Sequence, residues 1–256
     1  MFEATDIEVR LGGKQILHSV DLSAEAGKVT CIVGPNGSGK STLMKALTED
    51  HKFHGQVKLN GKYISDYAPH EKAALRGVLP QSSQLTFPFT VEEVLRMGLS
   101  AGIHGMDDTL IERSLAQVGL QEHAHRTFHD LSGGEQQRAH LARVLCQVWE
   151  PLVNGVPRWL LLDEPVASLD IGHQLIVMRC VQDYAVRGGG VVAVMHDLNL
   201  TSMIADQVVM MSDGRIAARG SPSEVFTDTI LSKVYDCGIR TNVTPEANYF
   251  LPQMVS

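Results

Sequence analysis

The chain has 256 residues, enough to bury a full core, and 44% of them are hydrophobic against 20% charged, the balance of an ordinary globular protein. A formal net charge of −7 offers no electrostatic footprint for nucleic acid or for an anionic membrane surface. No apolar stretch approaches the ~18–20 residues that span a bilayer. The start Met1-Phe2-Glu3-Ala4-Thr5-Asp6 lacks the basic and apolar regions of a secretion signal, so the expected compartment is the cytosol.

Residues 2–11 alternate apolar and polar, with Ile7, Val9 and Leu11 on one face, and predict a half-exposed strand. Gly12-Gly13 turns the chain into a second strand over 17–22, closed by Ala26-Gly27. An apolar run at 29–33 predicts a buried strand, and 41–48 a helix. Residues 55–62 read as strand, Asn60-Gly61 turn and return. A short buried strand over 77–80 ends at Gln81. Thr90-Val91-Glu92-Glu93 is a capping box that opens a helix, and 107–118 is amphipathic, with Leu110, Ile111, Leu115 and Val118 on one side. Helix 135–147, strand 159–162, helix 174–186, strand 191–194, helix 198–204 and strand 207–211 follow. A hairpin return over 214–219 precedes a capping box at Ser221-Pro222-Ser223-Glu224. Gly188-Gly189-Gly190 reads as a hinge-like turn. Continuous apolar strands alternating with helices predict an α/β fold, its parallel sheet covered on both faces. An all-helical insert, roughly 84–130, interrupts that pattern. Four scattered cysteines without C-x-x-C spacing (Cys31, Cys146, Cys180, Cys237) read as buried free thiols.

Between the strand at 29–33 and the next helix stands Gly34-Pro35-Asn36-Gly37-Ser38-Gly39-Lys40-Ser41-Thr42, which fits G-x-x-x-x-G-K-[ST]. Glycines let backbone N–H groups close around a phosphate, and the helix start adds its positive end. Lys40 is expected at the β- and γ-phosphates and Ser41 at Mg²⁺. Further on, an apolar strand ends in Asp163-Glu164, delivering two carboxylates where α/β ligand sites sit: Asp163 for Mg²⁺ and Glu164 as general base. Taken alone, such a run is often just a strand leaving the core. Downstream of a phosphate loop it reads as the second half of a nucleotide site. The stretch Leu131-Ser132-Gly133-Gly134-Glu135-Gln136-Gln137-Arg138 contains another capping box, Ser132 with Glu135. A plain cap does not need two glycines, each costing ~1 kcal/mol inside a helix. Two glycines at a helix start instead make a surface that a phosphate can approach.

Residues 131–138 resemble the signature motif of ATP-binding cassette (ABC) ATPases, and the order of motifs matches that family over nearly the whole chain. The resemblance implies a single domain over 1–256. Residues 1–83 and 131–240 form a P-loop NTPase (RecA-like) core with an antiparallel β subdomain, 84–130 the inserted helical subdomain, and 241–256 a tail. It also implies Gln81 as the Q-loop glutamine and a further Mg²⁺ contact, Ser168-Leu169-Asp170 as the D-loop, and His196 as the switch histidine. Without the family, Gln81 reads as a loop residue, Asp170 as a helix cap and His196 as a buried histidine. The other histidines, including His123, His125 and His129, stay at that plain reading. The implied mechanism pairs two copies head to tail, with ATP between the phosphate loop of one and Leu131, Ser132, Gly133, Gly134 and Glu135 of the other. Leu11 stands where the family commonly stacks an aromatic ring on adenine, which leaves the choice between ATP and GTP less specified. The segment Phe87-Pro88-Phe89-Thr90-Val91-Glu92-Glu93-Val94 is similar to that of importers of iron–siderophore complexes, haem and vitamin B12. Gln147-Val148-Trp149-Glu150-Pro151 with Pro157-Arg158-Trp159 resembles the haem importers in particular. The implied partners are a second copy, an integral permease dimer on the helical insert and, indirectly, a periplasmic binding protein. The implied place is the cytoplasmic face of the bacterial inner membrane. Soluble cassette ATPases acting on DNA or ribosomes share the ATP motifs. They usually add coiled coils, tandem cassettes or basic surfaces, none of which this sequence carries.

Overall fold

A computed structural model describes residues 1–81, 85–103, 105 and 107–244. The expected insert boundary at Gln84 and most of the 241–256 tail lie outside the described residues. In chain order the elements are β1 (Phe2–Leu11), β2 (Lys14–Ala24), β3 (Val29–Val33), α1 (Lys40–Leu47), β4 (His54–Leu59), β5 (Lys62–Tyr63), α2 (Pro69–Leu75) and β6 (Arg76–Leu79). Then come α3 (Val91–Ala101), α4 (Thr109–Gln117), α5 (Gly133–Gln147), β7 (Leu152–Val153), β8 (Val156–Pro157), β9 (Trp159–Asp163) and α6 (Ile171–Val186). The last are β10 (Gly190–Val194), α7 (Leu198–Ile204), β11 (Gln207–Ser212), β12 (Arg215–Gly220), α8 (Pro222–Val225) and α9 (Asp228–Tyr235).

Two sheets organise the molecule. One is antiparallel, in the order β2-β1-β4-β5. The other runs β12-β11-β3-β10-β9-β6 and is parallel except at its β12 edge. The inner strands β3, β9 and β10 are buried along their whole length, which is why they read as unbroken apolar runs. Strand alternation sorts their side chains into two cores. Cys31, Val33, Leu160, Leu162 and Ala193 face the helices α3 to α6. Ile32, Leu161, Val192 and Val194 face α1 and the antiparallel sheet.

Trp159 joins the two sheets. Its ring meets Phe2 edge-on at 5.5 Å, and its Nε1 donates to Asn60 Oδ1 at 3.0 Å. Gly190 lies under that ring, and a Cβ there would enter it. The triple glycine is therefore more than the expected turn, because its last member is the first residue of β10 and makes room for the indole. On the other side α3 and α4 pack against α5. Gly98 lets α3 approach the Arg143 carbonyl of α5 so closely that a methyl group would collide with it.

Cys31, Cys146 and Cys180 are buried as expected, but Cys237 is exposed. Two short helices and a hairpin went unread in the sequence. Helix α2 buries none of its residues, so it carries no apolar periodicity. Its signals are Pro69 at the first turn and Glu71, whose Oε2 accepts from the Ala68 N–H at 2.7 Å. The β7–β8 hairpin turns at Asn154-Gly155, a strong hairpin signal hidden by two-residue strands. Helix α9 is opened by Thr227, whose hydroxyl accepts from the Ile230 N–H. Among the described residues no helix is long and apolar enough to cross a membrane.

Candidate nucleotide site

Four neighbouring strands, β3, β10, β9 and β6, run parallel and end on the same edge of the sheet. Register holds their ends level: Val194 sits beside Ile32 and Asp163, and Leu79 beside Leu162. The chain leaving β3 is the phosphate loop, β10 leads to His196, β9 ends in Asp163-Glu164, and β6 leads to Gln81. Residues far apart in sequence thus converge where parallel α/β sheets hold ligands.

The loop is shaped by its glycines. Gly34 has φ 145° and a Cβ there would collide with the Met211 carbonyl; Gly39 has φ 101° and caps α1. Gly39 brings no capping side chain, and the first turn of α1 has no acid, so no side chain of the helix start offsets its positive end. Lys40 is buried, with Nζ donating to the Gly34 and Pro35 carbonyls at 2.8 and 3.0 Å. Burial lowers its pKa, partly offset by the charges of Glu164 and Asp163. Ser38 Oγ is buried without a partner among the described residues.

Asp163 is also buried, and Ser41 Oγ donates to its Oδ1 at 3.3 Å. Desolvation first, then the Glu164 charge, raises the Asp163 carboxyl above the ordinary range. Glu164 Oε1 accepts from Gln81 Nε2 at 2.9 Å and lies 2.6 Å from His196 Nε2. Its backbone is left-handed, φ 57°, and its main chain is fixed at both ends. Its N–H donates to Val194 O, and its carbonyl accepts from Gln137 Nε2, both at 3.2 Å. Gln81 and His196 thus meet at one oxygen of this carboxylate.

A cavity of about 390 Å³ opens over this group, lined by Ile16, Asn36, Gly37, Gly39, Lys40, Ser41, Thr42, Gln81, Glu164 and His196. A larger hollow of about 930 Å³ lies between α7, α8 and α9, but its lining holds one charged side chain, Arg240, among the described residues. The smaller cavity joins a lysine, hydroxyls and a helix start, whereas the described lining of the larger has a single arginine and no glycine loop. Leu11 sits at the exposed end of β1 and does not line the smaller cavity, whereas Ile16 does. Sequence reasoning missed Ile16, which belongs to no motif, and gave Gln137, inside the 131–138 motif, no role of its own.

None of residues 131–135 lines the cavity. Ser132 caps α5, accepting from the Glu135 N–H at 3.3 Å, while Glu135 Oε2 accepts from the Ser132 N–H at 2.7 Å. Nothing lies within 4 Å of a Cβ built on Gly133, so that face of the helix start is open. Gly134 abuts Leu169 and the Ser168 carbonyl of the D-loop segment. Asp170 caps α6: it accepts from the His173 N–H at 2.9 Å, with His173 Nδ1 at 2.7 Å. The plain cap reading of Asp170 therefore holds whatever else this residue does.

Ser41 Oγ of α1 meets Asp163 Oδ1 at the end of β9, with the amide of Gln81 on the same cavity. This set suits a hard cation that takes its remaining ligands from phosphate and water. Among the described residues no group of three His, Cys, Asp or Glu is placed to hold a metal by itself.

A family profile described as "ABC transporter" matches residues 17–167. The chain is 56% identical over 252 residues to the Hemin import ATP-binding protein HmuV of Roseobacter denitrificans, covering 98% of this chain and 97% of that protein. It is 53% identical over 259 residues to the protein of the same name from Mesorhizobium japonicum, covering 99% and 98%. Among solved structures, a nucleotide-free ATP-binding cassette from an ABC transporter superposes with a TM-score of 0.75 at 25% identity, covering 92% of this chain and 97% of that one. An ATP-binding subunit of an ABC transporter gives 0.76 at 21%, covering 93% and 94%. Profile, full-length relatives, fold and the order of strand ends agree: the chain is an ATPase domain of the ABC transporter family.

Proposed function

We propose that this chain hydrolyses ATP to drive import of haem (hemin) through a separate membrane permease. The observation that supports the cargo is the identity of 56% over 98% of the chain to a protein named for hemin import. The hydrolytic half rests on Glu164, held beside the phosphate-loop cavity by Gln81 and His196.

The phosphates sit in the loop 34–42, with Lys40 turning from the loop carbonyls toward the β- and γ-oxygens. Ser41, Asp163 and Gln81 would hold Mg²⁺, which would offset the charge of the phosphates. Glu164 accepts a proton from the attacking water. His196 orients that water and the γ-phosphate, and the D-loop residues 168–170 line the approach of a second copy. Ile16 and the exposed Leu11 pack on the base side. The γ-phosphate's far side is closed by Ser132 and the Gly133 and Gly134 N–H groups of a partner copy, in a head-to-tail dimer. The exposed Phe87 and the helical residues 84–130 receive the permease dimer, which in turn meets a periplasmic binding protein. The working place is the cytoplasmic face of the inner membrane.

The test is reconstitution with its permease partner in liposomes, measuring hydrolysis with each cargo. Hemin-stimulated turnover is expected. Stimulation by vitamin B12 or an iron–siderophore complex, with none by hemin, would reassign the cargo.

A further inference from the structure

Between α4 and α5 the chain runs through a segment that carries three histidines. Its backbone is stitched to the first turn of α3 and the residues just ahead of it. Val91 N–H donates to Arg126 O at 3.0 Å, Glu92 N–H to Ala124 O at 2.9 Å, and Phe128 N–H to Phe89 O at 2.8 Å. Thr90 and Thr127 form an antiparallel bridge. His129 Nε2 lies 3.2 Å from Phe87 O, and His125 Nδ1 lies 3.4 Å from Glu92. His123 instead faces the signature helix, its Nε2 3.1 Å from Glu135 Oε1. Its Nδ1 is buried with no hydrogen-bond partner among the described residues. A carboxylate only accepts, so Nε2 is the nitrogen that carries a proton toward Glu135.

Glu135 is therefore held on two sides, by the Ser132 N–H at Oε2 and by His123 at Oε1. This carboxylate stands in the first turn of α5. Left alone, its charge would repel a phosphate approaching the open Gly133 face. Hydrogen bonds within the Ser132 cap, above all, hold the Glu135 carboxyl below the ordinary range, and the His123 contact ties its other oxygen.

We propose that His123 is a positioning residue for the signature motif: through Glu135 it fixes the α5 N-terminus and turns the carboxylate charge away from the partner-held γ-phosphate. The proposal rests on the reading that residues 131–135 act on ATP bound by a second copy.

The test uses the full chain carrying Glu164→Gln, so that ATP-driven dimers accumulate. In that background His123→Ala should leave binding of a fluorescent ATP analogue to the dilute monomer within about twofold. ATP-driven dimerisation, read by sedimentation, should weaken about tenfold, the size of one charge-assisted contact. His123→Gln, which keeps a donor near the Nε2 position, should restore most of the loss. With Glu135→Gln also present, His123→Ala should change dimerisation by less than about twofold, because the two residues act as one unit. If alanine unfolds the insert, His123→Phe keeps the ring volume without the donor. Undiminished dimerisation in the variant without a donor, or equal losses with and without Glu135→Gln, would overturn the proposal. Ser132→Arg is the control. If it too leaves the ATP-driven dimer intact, the shared-site reading fails and the role of His123 falls with it. If it abolishes the dimer while His123→Ala does not, the His123 proposal alone fails.

Discussion

At the scale of single residues, the site holds charges that the fold would be more stable without. Asp163 is buried and its pKa is raised, so its folded value lies above its unfolded one. A carboxyl of this kind binds protons more readily in the folded state. Its contribution to stability is greatest below the ordinary aspartate value and is lost as pH rises from there through the raised value. Asp163→Asn should therefore stabilise the nucleotide-free chain at neutral pH by about 1 kcal/mol, or ~2–4 °C in thermal unfolding, while removing Mg²⁺-dependent turnover. Calorimetry at pH 7 and at pH 4 checks the sign, since the gain should shrink at the lower pH. Lys40 is the complementary case, an ammonium satisfied only by carbonyls. Lys40→Ala should weaken ATP binding about a hundredfold, measured by nucleotide titration, because a charge-assisted phosphate contact has no substitute. Glu164→Gln keeps an acceptor oxygen but not the base, and should lower kcat by ~10²–10⁴ with ATP binding retained.

Among the elements, backbone approach outweighs propensity at Gly98. Exchanging glycine for alanine inside a helix usually gains ~1 kcal/mol. Here the added methyl would strike the Arg143 carbonyl, a backbone atom that cannot swing aside. Gly98→Ala should instead destabilise by about 1–3 kcal/mol, seen as a lower denaturant midpoint, by pushing α3 off α5. What the sequence showed at this scale follows from locality. The phosphate loop was legible because strand, glycines, lysine and helix are contiguous, and Asp163-Glu164 because an unbroken apolar run announces its own end. Helix α2 was not, since it buries nothing, and the β7–β8 strands were too short to show alternation. Ile16, Gln137 and His123 reach their places through tertiary packing alone. The Ile16 strand lies in the other sheet, and Gln137 meets only a main-chain oxygen.

For the whole molecule, the sheet edge assembles loop, carboxylates, His196 and Gln81 but leaves Ser132 to Glu135 outside the cavity. The proposed head-to-tail pairing, in which a second copy supplies those residues, predicts concentration-dependent chemistry. Hydrolysis per chain should rise with protein concentration, and dilute chain should bind ATP without turning it over. Ser132→Arg should keep monomer binding and lose hydrolysis, checked by titration and phosphate release on one preparation. Loss of both together would mean that residues 131–135 serve the chain's own site.

The left-handed backbone of Glu164 has a consequence for anyone engineering this protein. At φ 57° a glutamate is strained, and glycine or asparagine would relax it. A library selected only for heat resistance should drift toward such replacements at this position. The hardiest clones would be the inert ones, so an activity screen has to run alongside every round of thermal selection.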